Sequence, residues 1–302
     1  MIERILASAA LLTTPLLLAA LGGLLNRRGG LVNIGLEGKM LVGALVAALA
    51  SAATGSWLLG LAAAAAAGAI VGLLFSWSVT RLRANEIIAG FGLNIFVAGV
   101  IGFLLPRLFE SSSSLRPEGM VRLPRLPLPL VEDVPLLGAV ISGRDPLTWL
   151  TWALVPLTAW VLYRTRWGLH LRATGAAPTA ALAIGLRVLR IRDSSTVIAG
   201  ALAALGGAHL SLGIVGLFNR NMIAGRGFIA FAAFYFGRSR PLPTAFACVL
   251  FAVFDATQVR LQGQDVPSEL VQTLPYLVVI AVLAFTGIRA TRARTSQAVT
   301  VP

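Results

Sequence analysis

Long runs of uncharged, mostly apolar residues alternate along the chain with short polar segments that carry the charges. A helix that crosses a membrane needs about 20 consecutive apolar residues, within a range of roughly 17 to 25. Six runs have that length: Ile5–Leu25, Trp57–Thr80, Ile87–Leu105, Leu147–Tyr163, Ser194–Phe218 and Leu270–Ile288. The pattern predicts a polytopic membrane protein of the all-α class.

Shorter apolar runs lie between these six. Met40–Thr54 and Gly227–Gly237 are too short to be simple spanning helices, and Pro241–Phe254 gains length only by continuing past Asp255. The chain, residues 1–302, is thus predicted to be a single transmembrane domain with about nine membrane elements. Both short runs open on Gly-rich segments, one in each half of the chain. This indicates broken or re-entrant helices and an internal repeat around a central pathway.

Composition supports the same class. Of the 302 residues, 57% are hydrophobic and only 12% are charged, and the mean hydropathy is +0.84. A soluble domain carries about 25% charged residues, so a soluble enzyme is excluded. The net charge of +13 comes from basic residues placed between apolar runs, which argues against a nucleic-acid partner. The single Cys248 lies inside an apolar run, so no disulfide framework is predicted.

The arginines are concentrated in alternate loops. Because cytoplasmic loops carry the excess of Lys and Arg, these loops are predicted to be cytoplasmic. They hold Arg27 and Arg28; Arg81 and Arg83; six arginines between Arg164 and Arg192; Arg238 and Arg240; and Arg289, Arg292 and Arg294. The N-terminus is then expected outside and the C-terminus in the cytoplasm.

Two loops are long. Residues 106–146 are rich in Ser and Pro and are predicted to form an external loop, either a solvated linker or a cap that receives a partner. Residues 164–193 form a cytoplasmic loop. In it, Pro178 suits the first turn of a helix, and the Ala/Leu run behind it favours helix. This short helix is either a surface amphipathic helix or an element that docks into a partner's groove.

Several kinds of catalytic motif are missing from the sequence. A P-loop needs a Lys after a Gly-rich turn, and the single lysine, Lys39, lacks the upstream Gly at the required spacing. No H-E-x-x-H or G-x-S-x-G motif occurs, and two isolated histidines do not build a zinc site. We therefore expect a non-catalytic chain without a metal or cofactor.

The Gly-rich segment Gly29–Met40 leads directly into a run too short to span. Part of its backbone is predicted to lie at membrane depth, where irregular backbone is tolerated only against protein or a water-filled cavity. The segment is either a broken helix that presents polar groups to a solute, or a turn at the interface from which Glu37 and Lys39 reach for water.

Four segments carry a resemblance to a known family: Asn33–Gly38, Asn85–Asn94, Gly168–Leu186 and Gly225–Ala230. They resemble the permease subunits of bacterial ABC importers, most of all the nucleoside or simple-sugar permeases related to those for branched-chain amino acids and ribose. The resemblance runs from about Leu21 to Arg289. It implies a multi-pass protein of the bacterial cytoplasmic (inner) membrane that moves a small-molecule substrate, most simply a nucleoside, through the lipid bilayer.

The resemblance also implies partners: a cytoplasmic ABC ATPase that hydrolyses the ATP, a second permease subunit, homologous or identical, and an external substrate-binding lipoprotein. The helix at Pro178 would be the coupling helix to the ATPase, and its implied docking residues are Gly175, Pro178, Ala180, Ala181 and Gly185. This chain has Gly175-Ala176-Ala177-Pro178 where the family often has Gly-Glu-Asn-Pro, so two polar groups expected to contact the ATPase are missing.

Polar residues of the resembling segments are the candidates for the translocation pathway. Asn33, Glu37 and Asn94 are expected nearest the route, with Asn85 and Glu86 at its cytoplasmic edge. Glu37 has a second interpretation, as a cap on a helix N-terminus, where a carboxylate is favourable by about 0.3–1 kcal/mol. The alternatives for the whole chain are the same machinery with a simple sugar or branched-chain amino acid as cargo, and an ion-coupled secondary transporter.

Overall fold

The computed structural model describes residues 2–109, 113–126 and 142–261. Ten α-helices occupy most of these residues: α1 (Ile2–Arg28), α2 (Leu36–Thr54), α3 (Trp57–Thr80), α4 (Glu86–Phe109), α5 (Pro146–Arg164), α6 (Arg166–Ala176), α7 (Pro178–Ala183), α8 (Val188–Ala208), α9 (Arg226–Phe236) and α10 (Pro241–Leu261). A π-helical segment, His209–Val215, continues α8, and two-residue strands β1 (Ser114–Leu115) and β2 (Phe218–Asn219) pair antiparallel.

Six of the described helices are long and apolar enough to cross a membrane: α1 to α5, and α8 with its π-helical extension. Helices α9 and α10 are also apolar, but their apolar stretches, Arg226–Phe236 and Pro241–Thr257, are shorter than those of the six spans. The prediction of a polytopic, all-α membrane protein is confirmed. The total of about nine elements is not confirmed. The run Leu270–Ile288, the arginines after it, and residues 110–112 and 127–141 of the long loop lie outside the described residues.

The second helix corrects one sequence prediction. Met40–Thr54 was expected to be too short to span, but α2 starts at Leu36 and has 19 residues. The difference arises because a lysine ordinarily ends an apolar run, whereas this one lies within the helix. In the structure its side chain is fully buried, so it belongs to the interior of the helix bundle.

Helix α8 lies at the centre of the fold, where it packs against α1, α2 and α3. The helices approach closely because small residues line the contacts, as is common between membrane helices. A Cβ atom added at Gly200 would overlap the carbonyl group of Gly68 on α3, and one added at Gly43 on α2 would overlap the backbone at Ala204. These contacts fix the positions of the helices that surround the candidate site.

The basic loops lie together at one end of the helix bundle. The Arg81 guanidinium pairs with Asp193 at 2.7 Å, and Arg28 donates from Nε to the carbonyl of Ser239 at 2.7 Å. Arg192 donates to the carbonyl of Gly29 at 3.3 Å. These contacts join the ends of α1 and α3 to the start of α8 and the loop before α10. We call this end of the bundle the basic face; the strand pair β1–β2 lies toward the opposite end.

Candidate functional site

Helix α2 begins inside the bundle, after a non-helical segment. Residues 31–34 have no regular secondary structure, and the helix starts at Leu36. Gly38 lies against Asn94 of α4, eight residues beyond the start of that helix at Glu86. At 1.5 Å per residue this places the start of α2 about 12 Å from the basic end of α4. The prediction of irregular backbone at membrane depth is therefore consistent with the fold.

Helix α9, which has only 11 residues, begins at the same place. Its first residues, Gly225 to Gly227, lie against Glu37 in the first turn of α2. The two carboxylate oxygens of Glu37 accept separate backbone hydrogen bonds, from Gly225 N at 2.8 Å and from Gly227 N at 2.7 Å. We call this contact between the two helix starts the half-helix junction.

The half-helix junction is favourable for a carboxylate because the N-terminus of a helix carries partial positive charge. Glu37 sits in the first turn of α2 and caps the first turn of α9, so it serves both helix ends. There is no room for a side chain at Gly227, since a Cβ there would lie 2.5 Å from Glu37 N. The nearby Arg226 is paired with Asp255 of α10 at 3.0 Å, so its charge is already compensated.

Asn94 supplies the hydrogen bonds that the broken segment lacks. Its Nδ2 donates to the carbonyl of Ile34 at 3.1 Å, and its Oδ1 accepts from Gly38 N at 2.9 Å. Unpaired backbone groups inside a bilayer are costly, so one carboxamide stabilises both ends of the interruption. Closer to the basic face, Glu86 Oε2 accepts from Val32 N at 2.7 Å.

Asn85 caps the start of α4. Its Oδ1 accepts from the backbone N–H groups of Ile87 and Ile88 at 3.0 and 3.2 Å. The side chain is exposed at the basic face. This is the usual role of an Asn before the first turn of a helix, where it satisfies donors that have no partner within the helix.

Lys39 begins a row of buried hydrogen bonds that sequence reasoning did not foresee. Its Nζ donates to Asn33 Oδ1 at 2.8 Å, and Asn33 Nδ2 donates to Asn26 Oδ1 at 2.7 Å. Asn26 Nδ2 then donates to Thr196 Oγ1 at 2.9 Å, and Thr196 Oγ1 to the carbonyl of Arg192 at 2.8 Å. We call these groups the Lys39 row; they join α1, the non-helical segment, α2 and α8.

Aromatic packing completes the surroundings of Lys39. The Nζ atom lies 4.3 Å from the ring centroid of Phe75 on α3, a cation–π geometry. Among the described residues, no carboxylate forms an ion pair with it. Lys39 therefore does not reach for water, as the interfacial-turn interpretation required. Asn33 is fully buried in the same row, whereas Glu37 and Asn94 are only half-buried.

The structure thus brings Asn33, Glu37 and Asn94 together around one interruption and places Asn85 and Glu86 at its basic end. All five make hydrogen bonds that hold backbone or neighbouring side chains. Asn33 is fully buried, and of the two others at the interruption itself, Glu37 and Asn94, each keeps part of its surface accessible. Their contact with a solute stays a prediction.

The predicted coupling segment is helical on both sides of Ala177. The helix expected at Pro178 is α7, and the sequence did not predict α6 before it. A Cβ at Gly175 would overlap the carbonyl of Arg28, so this residue faces the rest of the chain, and Ala181 is buried. Ala180 and Gly185 are exposed, and Pro178 is half-buried.

The apolar surface of this segment is provided by larger side chains than those expected. Leu182 is 57% exposed and Ile184 is 75% exposed, at the end of α7 and directly after it. An Ala/Leu run predicts a helix but does not tell which of its residues face outward. The outward face has to be read from the packing against α6 and α8.

A second buried polar cluster lies toward the opposite end from the basic face. His209 Nε2 is 2.9 Å from Asp145 Oδ2, and Asp145 also accepts from the backbone and hydroxyl of Thr148. Burial by itself raises the pKa of Asp145, but the hydrogen bond and charge of His209 and the bonds from Thr148 outweigh it and lower the pKa to about 2. The Asp-Pro sequence that starts α5 is the signal that could have revealed this cap.

Metal binding finds no support among residues 2–109, 113–126 and 142–261. No group of three or more His, Cys, Asp or Glu side chains is clustered there.

Comparison with known proteins gives a family match over nearly the whole chain. Residues 5–283 match the family described as the permease component of the branched-chain amino acid transport system. The nucleoside ABC transporter permease protein NupC of Lactococcus lactis subsp. cremoris is 32% identical over 299 residues, which cover 94% of this chain and 92% of NupC.

Two further relatives have similar identity. The guanosine ABC transporter permease protein NupQ of Bacillus subtilis is 31% identical, over 90% of this chain and 88% of NupQ. TsgC13 of Haloferax volcanii, named as a glucose ABC transporter permease, is 31% identical, over 91% of this chain and 89% of TsgC13.

Among solved structures, an ABC transporter described as of the metal-chelate type, in an inward-facing conformation, has a similar fold. The TM-score is 0.50 at 16% identity, with 94% of this chain and 85% of the other covered. At that identity the similarity concerns the fold alone.

Proposed function

Because this chain belongs to the family of branched-chain amino acid transport system permease components, we propose that it is the transmembrane subunit of an ATP-driven importer of nucleosides. The observation that carries the proposal is the similarity, over about nine-tenths of the chain, to two permeases named for nucleosides and guanosine. The half-helix junction is in keeping with it, since discontinuous helices that meet within the membrane commonly form solute pathways.

The proposed location is the bacterial cytoplasmic membrane, with the basic face in the cytoplasm. Among the described residues, the arginines of four loops or helix ends belong to that face, which is the distribution expected of cytoplasmic loops. In this orientation α1 starts outside, and the strand pair β1–β2 faces the side from which a binding lipoprotein would deliver the cargo.

The proposed partners are a cytoplasmic ATPase, a second permease subunit and the external lipoprotein. The chain itself is proposed to be non-catalytic. Leu182 and Ile184 form an apolar protrusion at the basic face, of the kind that fits a groove on a partner protein. We propose that this protrusion, rather than the buried Ala181, transmits closure of the ATPase to the helices.

Passage of a nucleoside past the half-helix junction requires weak contacts. A nucleoside is neutral and offers hydroxyls and base edges, so carboxamide and backbone groups suit it. The hydrogen bonds of Asn94 and Glu37 are already made to the backbone at the broken segment and at the start of α9. The exposed surface of these two side chains is proposed to border the route. Movement of α9 relative to α2 would open or close the route, because both helices start there.

A simple sugar is the second candidate cargo. The similarity to TsgC13, which is named for glucose, is as high as the similarity to NupQ. A sugar and a ribose moiety present the same hydroxyl groups, so the geometry of the junction favours neither.

The test is transport by the assembled complex. This chain is purified with its co-encoded partners, reconstituted in vesicles and supplied with radiolabelled adenosine, uridine or glucose. We expect ATP-dependent accumulation of a nucleoside that persists when the proton gradient is collapsed. Accumulation of glucose alone would support the second candidate, and accumulation that needs an ion gradient but no ATP would contradict both.

The coupling proposal has its own variants. Leu182→Glu should release the ATPase from the complex and stop ATP-dependent uptake, because it puts an unpaired charge into an apolar contact. Leu169→Glu is the matched control, since Leu169 of α6 is 56% exposed on the same loop but lies outside the protrusion. If both variants retained the ATPase equally, the protrusion would not be the contact that couples the ATPase to this chain.

A further inference from the structure

A cavity of about 530 Å³ opens at the basic face, between the end of α5 and the start of α10. Arg28 and Arg240 supply its basic side, and Tyr163, Pro241 and Leu242 are among the residues that complete it. The cavity is separate from the half-helix junction and from the protrusion on α7. We propose that it binds the headgroup of an anionic phospholipid.

Within the part of the chain that the structure describes, the charges in the cavity have no acidic partner. Neither Arg28 nor Arg240 takes part in the ion pairs found among residues 2–109, 113–126 and 142–261. Arg28 donates to two neutral oxygens instead, the carbonyl of Ser239 at 2.7 Å and the hydroxyl of Tyr163 at 3.4 Å. These bonds orient its guanidinium, while the exposed Arg240 is left to meet a ligand.

Phosphate is the chemistry that such a pair of arginines recognises. A guanidinium presents several N–H donors in a planar fork that matches the oxygens of a phosphate group. Two guanidinium groups also carry enough positive charge to favour a phosphodiester over a neutral solute. The hydroxyl of Tyr163 adds a further polar group at the rim.

The apolar surface next to the cavity favours a lipid over a free phosphate. Leu242, Phe246 and Leu250 follow one another at four-residue spacing along α10 and are 60%, 75% and 38% exposed. They therefore form a stripe about 12 Å long that leads from the cavity toward the bilayer interior. An acyl chain attached to a headgroup in the cavity would lie along this stripe.

This lipid site requires that the basic face lie at a membrane surface, as in the proposed orientation, but it does not depend on the cargo. Basic pockets between membrane helices on the cytoplasmic side commonly hold anionic headgroups. If the complex did not transport nucleosides, the lipid proposal would still stand. If the cavity did not bind lipid, the proposal of nucleoside transport would still stand.

The experiment is lipid binding by native mass spectrometry, on the complex purified through a tag on this chain. Phosphatidylglycerol and phosphatidylcholine are titrated in detergent into the unchanged protein, Arg240→Gln and Arg190→Gln. Arg190 is an exposed arginine of α8 at the same face but outside the cavity, so it controls for the loss of one charge. Arg240→Lys tests for rescue by a conserved charge.

We expect Arg240→Gln to weaken phosphatidylglycerol binding about fivefold, as for the loss of one arginine near an anionic membrane surface. Arg190→Gln should bind like the unchanged protein, Arg240→Lys should recover most of the affinity, and phosphatidylcholine should bind weakly throughout. Equal binding by the two Gln variants would overturn the proposal. Displacement of the lipid by millimolar glycerol 1-phosphate would reassign the cavity to a soluble phosphate ligand. A cross-link formed by Leu242→Cys to another subunit would assign the cavity to a protein partner.

Discussion

Replacing Glu37 with Gln should weaken the half-helix junction more than the loss of one ordinary hydrogen bond would. Both carboxylate oxygens accept backbone N–H groups, from Gly225 at 2.8 Å and Gly227 at 2.7 Å. A carboxamide has only one oxygen, so its NH2 group must face one of these donors. That donor then loses its partner in a half-buried place.

The cost of Glu37→Gln can be worked from these contacts. Hydrogen bonds to a charged group contribute about 1.5–3 kcal/mol each, a neutral one about 1 kcal/mol, and a buried donor left unpaired costs about 1–3 kcal/mol. The lost interaction with the helix N-terminus adds about 0.3–1 kcal/mol. Because these contributions overlap, we expect a total loss of about 2–4 kcal/mol of folding stability.

The measurement is the melting temperature of the purified transporter in detergent, with Glu86→Gln as the matched control. Glu86 accepts a single backbone hydrogen bond, from Val32 at 2.7 Å, which the oxygen of Gln can take over. We expect Glu86→Gln to cost about 1 kcal/mol or less. Equal shifts in melting temperature for the two variants would refute the view that both oxygens of Glu37 hold α9 in place.

The same geometry changes how transport by Glu37→Gln is interpreted. A cap that used one oxygen would survive this substitution largely intact, whereas a gate that depends on the charge of Glu37 would not. A cap that uses both oxygens does not survive intact. Lost uptake therefore indicates a gate only if the variant is compared at equal amounts of folded protein.

Three further outcomes are expected. Gly200→Ala should lower the melting temperature strongly, at a cost of about 3 kcal/mol, because its Cβ would overlap α3. Gly99→Ala, which meets nothing within 4 Å, should be neutral in thermal melts. Asp145→Asn should lower the melting temperature at neutral pH. In the fold the pKa of Asp145 is lowered to about 2, below its ordinary value of about 4. The difference in melting temperature between the variant and the unchanged protein should therefore shrink as the pH falls from about 4 toward 2. A cysteine at Glu118 should react with an impermeant thiol reagent in whole cells after any outer membrane is permeabilised, and one at Thr179 should not; the reverse would invert the orientation.

The sequence predicted the long helices well because membrane burial leaves a local signal. The run Trp57–Thr80 coincides with α3, since Ser56 and Arg81 mark both ends. The start of α2 was missed because its burial depends on distant residues. Lys39 is enclosed by Asn33 nearby and by Phe75, a residue of the next helix, and neither contact is visible as a local pattern.

The sequence indicated which residues belong to the candidate site but not which contacts each of them makes. Glu37 was singled out as a polar residue at membrane depth, and capping was one of its two interpretations. Its partners Gly225 and Gly227 lie about 190 residues further along the chain, so the helix that it caps is defined only by the tertiary fold. The exposure of Leu182 was hidden for the same reason, because which face of α7 is covered depends on the helices around it.

The Lys39 row also has a consequence for the energy stored across the membrane. Each link has its donor on the Lys39 side, so the hydrogen bond donated by Lys39 Nζ fixes how Asn33 and then Asn26 are turned. Carboxamides neither take up nor release protons at physiological pH. A hydrogen-bonded row that passes through two of them does not relay protons toward Arg192. The Lys39 row therefore links α1, α2 and α8 through buried polar groups without offering protons a path along it, so it does not dissipate the proton-motive force.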